Sequence, residues 1–138
     1  MIVRMSEEQA SFLIAIAEER YPEEACGLLF GDLKREEAVL KKIMPVRNTL
    51  RSPTDFQIDS EEFLRAVAEA EKEDMRHIGF FHSHPASPEP STTDVRYMGL
   101  WPESVWLIIS SISHRMAAYQ TIGGSLEKLD LKVMDQER

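Results

Sequence analysis

Residues 77–85 read HIGFFHSHP: a short apolar run, His77-Ile78-Gly79-Phe80-Phe81, that ends in two histidines, His82 and His84, and is closed by Pro85. The run has the length and aromatic content of a buried strand. In extended backbone, residues i and i+2 point to the same side, so His82 and His84 present two imidazoles together at the strand's carboxyl end. Two rings so placed can hold one metal ion. A chance His-x-His pair at the point where a strand enters a loop has no such role, and neighbouring segments have to separate the two readings.

Downstream, three prolines in six residues (Pro85, Pro88 and Pro90) forbid a regular element. Ser91-Thr92-Thr93-Asp94 then opens a short helix, finished by Gly99 and Pro102. A hydrolytic zinc site takes three protein ligands from His, Asp and Glu and leaves a fourth position for water. Asp94, ten residues beyond His84, is the carboxylate that the proline-rich loop can fold back to the two rings. Ser91-x-x-Asp94 is also a capping box with no chemistry of its own, and one cap can serve both purposes. A nucleophile alone does not cleave an amide, because the departing nitrogen must be protonated, so a general acid-base group is required as well.

Upstream, Ser6-Glu7-Glu8-Gln9 fits a capping box, and Phe12, Leu13, Ile16 and Ala17 give a helix over 6–20. Ala25 to Phe30 reads as a buried strand with Gly31-Asp32 as its turn, and Val39 to Val46 as its antiparallel neighbour, broken at Pro45. Residues 47–57, RNTLRSPTDFQ, have no period and form a loop suited to border a site. A second capping box at Asp59-Ser60-Glu61-Glu62 begins a helix to about residue 73. Val105 to Ile109, Arg115 to Ile122 and Leu126 to Val133 are three further strands, with Gly123-Gly124 as a turn, and the final DQER is expected to fray. Met1-Ile2-Val3 is only a short apolar start. The order helix, two strands, helix, strand, short helix, three strands implies a layered α/β domain with a mixed sheet and helices against it.

The chain has 138 residues, the size of one compact domain, and is 43% apolar and 29% charged. Sixteen basic against twenty-four acidic residues give a net charge of −8, which disfavours nucleic acid, and no segment calls for a membrane. Cys26 is the single cysteine and supports no intrachain disulfide. With no basic-then-apolar leader at the N-terminus, it points to the reducing cytoplasm. Cys26 reads as a small buried hydrophobe, His77 and His114 as structural or surface residues, and Glu24, on composition alone, as a solvated acid at a strand start.

Taken together, EEACGLLFG (residues 23–31), HSHP (82–85) and Ser91-x-x-Asp94 resemble the zinc isopeptidase branch of the Mov34/MPN/PAD-1 domains, also called JAMM or MPN-plus, and most closely its small single-domain prokaryotic members. The resemblance covers most of the chain. It implies an α/β, MPN/JAMM-like (cytidine-deaminase-like) layered domain spanning 1–138, with a mixed β-sheet flanked by helices. It also implies a zinc ion on His82, His84 and Asp94, with Glu24 as general acid-base and Ser91 as donor to the developing oxyanion. One departure stands out: six residues separate His84 from Ser91, where the commonest family spacing has seven. The implied reaction is hydrolysis of a peptide or isopeptide bond at the C-terminal tail of a ubiquitin-like or sulfur-carrier protein, by a monomer or homodimer. Two other readings stay open at this point. One is a non-catalytic scaffold of the same fold, with structural zinc or none; the other, a nucleobase deaminase, is disfavoured because it needs a pair of nearby cysteines.

Overall fold

The computed structural model describes residues 1–134. The chain runs β1 (Ile2–Ser6), α1 (Glu7–Arg20), β2 (Cys26–Leu33), β3 (Glu37–Val46), α2 (Ser60–Lys72), β4 (Arg76–His84), α3 (Thr92–Leu100), β5 (Val105–Ser110), β6 (Met116–Ile122) and β7 (Ser125–Met134). This is a mixed α/β domain in which a central sheet is flanked by helices. Expected fraying of residues 135–138 lies outside the described residues.

The strands follow the order β1-β3-β2-β4-β5-β6-β7, and β1 also pairs in parallel with β7, so the sheet closes into a barrel. Closure depends on β1, which the sequence presents only as three apolar residues. Its alternation of buried Val3 and Met5 with half-buried neighbours is that of a strand with one face inward. No turn or hairpin partner lies next to it in sequence, since its neighbours β3 and β7 begin more than thirty residues away.

Three boundaries differ from the sequence reading. Gly31 and Asp32 are not a turn: β2 continues to Leu33, and Gly31 sits at a register shift where a Cβ would collide with the Val39 carbonyl. The turn falls at 34–36. β3 runs through Pro45 instead of breaking there, because β1 accompanies β3 only at Glu37–Val39 and the remainder has a single ladder neighbour, where a missing N–H is tolerated. At α2, Asp59 Oδ2 accepts from Glu62 N at 3.0 Å, but the Glu62 carboxylate turns to Arg47 N at 3.4 Å, so the box is half made. At α1 the full box of Ser6 and Gln9 is present.

Two apolar clusters lie on opposite faces of the sheet. Leu13, Ile16 and Ala17 of α1 pack with Leu29, Phe81, Leu107 and Ile109; Ala66 and Ala70 of α2 and Met98 of α3 pack with Leu28, Phe80, Trp106 and Ile108. Each large side chain so buried contributes about 1.5–3 kcal/mol. β4 lies between antiparallel β2 and parallel β5, and α3 forms the β4-to-β5 crossover. The carboxyl end of β4 thus leads, through the proline-rich loop, to the start of α3. Gly79 permits the approach of β5, since a Cβ there would meet the Val105 carbonyl. Among the described residues, no helix is long and apolar enough to cross a membrane.

Candidate metal centre

The β2–β4 register pairs Cys26 with His82 and Gly27 with Phe81. Continued by two residues, it sets Glu24 opposite His84. Ser83, between the histidines, faces the other way and fastens this junction: its N–H donates to the Ala25 carbonyl at 2.9 Å and its Oγ accepts from Ala25 N at 2.8 Å. Glu24 enters the site from β2's start as a consequence, with 2% of its surface exposed. Glu23 stays at the surface, 3.6 Å from Arg51.

Asp94 arrives from the other side. Ser91 is the N-cap of α3; its Oγ accepts from Asp94 N at 3.1 Å while Asp94 Oδ2 accepts from Ser91 N at 2.9 Å. This reciprocal box holds the Asp94 carboxylate over the histidines, with Oδ2 3.1 Å from His82 Nε2 and 3.0 Å from His84 Nε2. The capping reading and the ligand reading of Ser91-x-x-Asp94 therefore describe one geometry. The six-residue loop is long enough to deliver it.

The donor set fits a tetrahedral ion. Nitrogen and oxygen ligands about 2.0–2.1 Å from zinc stand about 3.3 Å from one another, and the separations here are 3.0 and 3.1 Å, with Glu24 Oε2 3.6 Å from His84 Nε2. Glu24, His82 and His84 also offer ligand atoms within 4.8 Å of one another. Despite its short distance to Asp94, His82 Nε2 has no aligned hydrogen-bond partner, and neither have His82 Nδ1 and Glu24 Oε1, all of them buried. Buried polar atoms are rarely left so, and His82 Nε2, without an aligned partner beside Asp94 Oδ2 and on the side of His84 Nε2, is placed as a cation ligand would be.

Burial is the largest influence on the electrostatics. It pulls the fully buried His82 below the usual imidazole range, and pushes the Glu24 carboxyl up to about 8, against the pull of His84. Burial alone would lower His84 and raise Asp94. The Asp94 carboxylate and Glu24 instead hold His84 above its ordinary value, and the two imidazoles hold Asp94 well below the carboxylate range.

The remaining sequence expectations resolve as follows. Cys26 is fully buried, its thiol pushed up to about 12 by burial, with Sγ 3.8 Å from the Val46 carbonyl. His77 is enclosed by Phe30, Phe63, Phe80 and Trp101, and His114 is a surface residue paired with Glu18 at 2.9 Å. Loop 47–57 does border the site: Phe56 stacks on the His82 ring at 4.6 Å between centroids, and Ser52 O accepts from Glu24 N at 2.8 Å.

Sequence reasoning missed Asn48. Its Nδ2 donates to the carbonyls of Glu24 (3.1 Å) and Asp55 (2.9 Å), and its Oδ1 accepts from Leu50 N and Gln57 N, so one buried amide ties the loop to the backbone of Glu24. The only sign in the sequence was an asparagine at the head of a turn-rich segment.

Residues 6–121 match the family model described as prokaryotic homologs of the JAB domain. The chain is 47% identical to a desampylase of Pyrococcus furiosus over 88 residues, which span 63% of this chain and 59% of that protein. It is 29% identical to a CysO-cysteine peptidase of Mycobacterium tuberculosis over 128 residues, 90% of this chain and 86% of that one. A solution structure of a Desulfitobacterium hafniense protein superposes with a TM-score of 0.85 at 29% identity, covering 99% of this chain and 94% of that one. The chain belongs to the prokaryotic JAB-domain family, the JAMM-type branch of the MPN fold.

Proposed function

We propose that residues 1–138 act as a single zinc metallopeptidase domain that hydrolyses a peptide or isopeptide bond at the C-terminal tail of a ubiquitin-like or sulfur-carrier protein. The observation that carries this reading is the position of Asp94 Oδ2, within 3.1 Å of both imidazoles, with the Glu24 carboxyl alongside. His82, His84 and Asp94 would hold the metal; Glu24, whose Oε2 lies 3.6 Å from His84 Nε2, is the carboxylate assigned to proton transfer. The names of the relatives, a desampylase and a CysO-cysteine peptidase, support the substrate class.

A bound zinc ion supplies a water of lowered pKa and polarises the scissile carbonyl. Glu24 accepts the proton of the attacking water and returns it to the leaving amine, so one side chain serves as base and then as acid. Ser91 Oγ already accepts from Asp94 N, which leaves its own hydrogen to donate toward the carbonyl oxygen as negative charge develops there. Loops 47–57 and 85–90 form the walls against which an extended tail lies. With one reduced cysteine, buried, the chemistry is assigned to the cytoplasm.

The scaffold reading gives no use to a buried Glu24 beside three ligands, since a structural zinc has no open position and no base. The test is to quantify zinc in purified protein and to offer it ubiquitin-fold carriers bearing C-terminal extensions, with and without a chelator. Stoichiometric zinc and chelator-sensitive cleavage at the end of the carrier tail are expected. Protein that binds no zinc and cleaves no carrier returns the chain to the scaffold class.

A further inference from the structure

The loop that carries the chain from His84 to Ser91 has little of its own to hold it in place. Pro85, Pro88 and Pro90 have no backbone N–H, so three of its six residues cannot donate to a turn. Packing does not locate it along its whole length either, since a cavity of about 400 Å³ opens between residues 87–90 and the strands β6 and β7. Ala86, Ser87 and Glu89 are exposed, yet Pro88 is buried. At that point Tyr119 Oη donates to the Pro88 carbonyl at 3.0 Å. Tyr119 stands on β6 opposite Trp106, which pairs with Phe80, so its side chain shares the sheet face of His82 and His84. Only 6% of its surface is exposed. Burial, with the charge of Glu89, raises its pKa above the ordinary phenol value, so the donor keeps its proton. One residue before the anchored carbonyl, the Ser87 backbone holds a hydrogen bond with the His84 ring. Three residues after it, the loop delivers Ser91 and, through the capping box, Asp94.

We infer that Tyr119 is a positioning residue of the metal centre: by fixing the Pro88 carbonyl, its hydroxyl holds the loop in the shape that sets Asp94 Oδ2 against both imidazoles. This assignment rests on the metal centre proposed above and extends it to a strand that supplies no ligand. Tyr119 acts through the loop, not by touching metal or substrate. His82 and His84 belong to β4 and are held by its ladders with β2 and β5. Asp94 has no such support, because it reaches the rings only by way of residues 85–90. Without the hydroxyl, the Pro88 carbonyl would be left buried and unpaired, and the loop would have to shift to bring it to water. Ser91 and Asp94, joined by their own hydrogen bonds, would move with it as a unit. A metal ion tolerates only a few tenths of an ångström of such movement in its ligands. The competing role is packing alone, in which the hydroxyl contributes stability and nothing more.

The test compares wild type with Tyr119→Phe, which keeps the ring in its cluster and removes only the donor. Zinc affinity is measured by competition with a chromophoric chelator, and ligand geometry by the visible absorption bands of the cobalt(II)-loaded protein. Zinc affinity should fall roughly tenfold, the lower end of the range for residues that orient a ligand from outside it, and the cobalt bands should shift. Ala70→Gly, a destabilising change in the same apolar cluster that leaves the hydroxyl in place, should bind zinc as wild type does. A folded Tyr119→Phe with wild-type affinity and bands, or an equal loss of affinity in Ala70→Gly, confines Tyr119 to packing and overturns the inference while leaving the metal centre intact. Should Tyr119→Phe fail to fold, Pro88→Gly decides, because it frees the backbone at the anchored carbonyl and leaves β6 unchanged. A similar loss of zinc affinity there supports the inference, and wild-type affinity overturns it. Wild type that takes up neither zinc nor cobalt overturns the metal centre and the inference with it.

Discussion

Glu24 Oε2 lies 3.6 Å from His84 Nε2, at the position that continues the β2–β4 register, and its partner oxygen Oε1 is buried without a hydrogen bond. Burial pushes this carboxyl up to about 8, which favours a group that holds and releases a proton near neutrality. Glu24→Gln preserves shape and leaves His82, His84 and Asp94 untouched. Its zinc content, read by elemental analysis, should match wild type while tail cleavage falls by roughly 10²- to 10⁴-fold. His84→Ala should lose zinc and turnover together. Loss of zinc from Glu24→Gln would instead make Glu24 a ligand, and full turnover would remove its role as a base.

Ser91 combines a structural role with a proposed catalytic one, and two substitutions separate them. Removing an N-cap hydroxyl to alanine typically costs about 1 kcal/mol, whereas glycine at the same position costs only a few tenths. Ser91→Ala should therefore lower stability in chemical denaturation, and Ser91→Gly should recover most of it. Both lack the hydroxyl, so both should lose roughly 10²- to 10³-fold in kcat if it stabilises the developing oxyanion. Turnover that recovers along with stability in Ser91→Gly would confine Ser91 to capping α3.

How much of this was legible beforehand depended on whether the information was local. His82 and His84 share a face because strand geometry has a period of two, and Ser91 and Asp94 meet because a capping box spans three residues; both follow from short spacing. Glu24 was different. Composition alone presented it as a solvated acid, and only resemblance to a family singled it out, because its burial comes from β2–β4 pairing across nearly sixty residues. β1 was missed for the same reason: five residues whose partners are β3 and β7 carry no local mark of the barrel they close. Pro45 misled in the opposite direction, since a residue that breaks a central strand is accommodated where one neighbour is absent.

Asn48 illustrates what a contact network adds. All four of its hydrogen bonds go to backbone groups, three of them in the 50–57 loop and one on Glu24. Asn48→Ala removes them at a buried position, and Asn48→Asp removes two donors while adding a charge beside two carbonyl oxygens. The alanine variant should lose about 3 kcal/mol of stability, as expected when buried backbone groups lose their partner. At temperatures where it remains folded, its zinc content should stay near wild type and its turnover should fall, because Glu24 is anchored through the bond it has lost. Wild-type turnover in the folded variant would show that Ser52 alone positions Glu24.

His77 gives a pH dependence that is independent of the metal. Burial among Phe30, Phe63, Phe80 and Trp101 lowers its pKa below the ordinary 6.5, despite a hydrogen bond with the Gly79 backbone, and its Nε2 has no partner. The folded state therefore binds the proton less readily than the unfolded chain does. The sign follows by linkage: this contribution to stability is fully present above about pH 6.5 and is lost as pH falls from there toward the folded pKa, because the unfolded chain takes up the proton first. Denaturation at pH 7.5 and 5.5 should show wild type losing more stability over this interval than His77→Phe, which keeps an aromatic ring in the cluster and cannot titrate. Other groups, including the metal ligands, contribute equally to both proteins, so the difference between the two slopes isolates His77. Parallel curves would mean that the ring protonates as readily in the folded protein as in the unfolded chain.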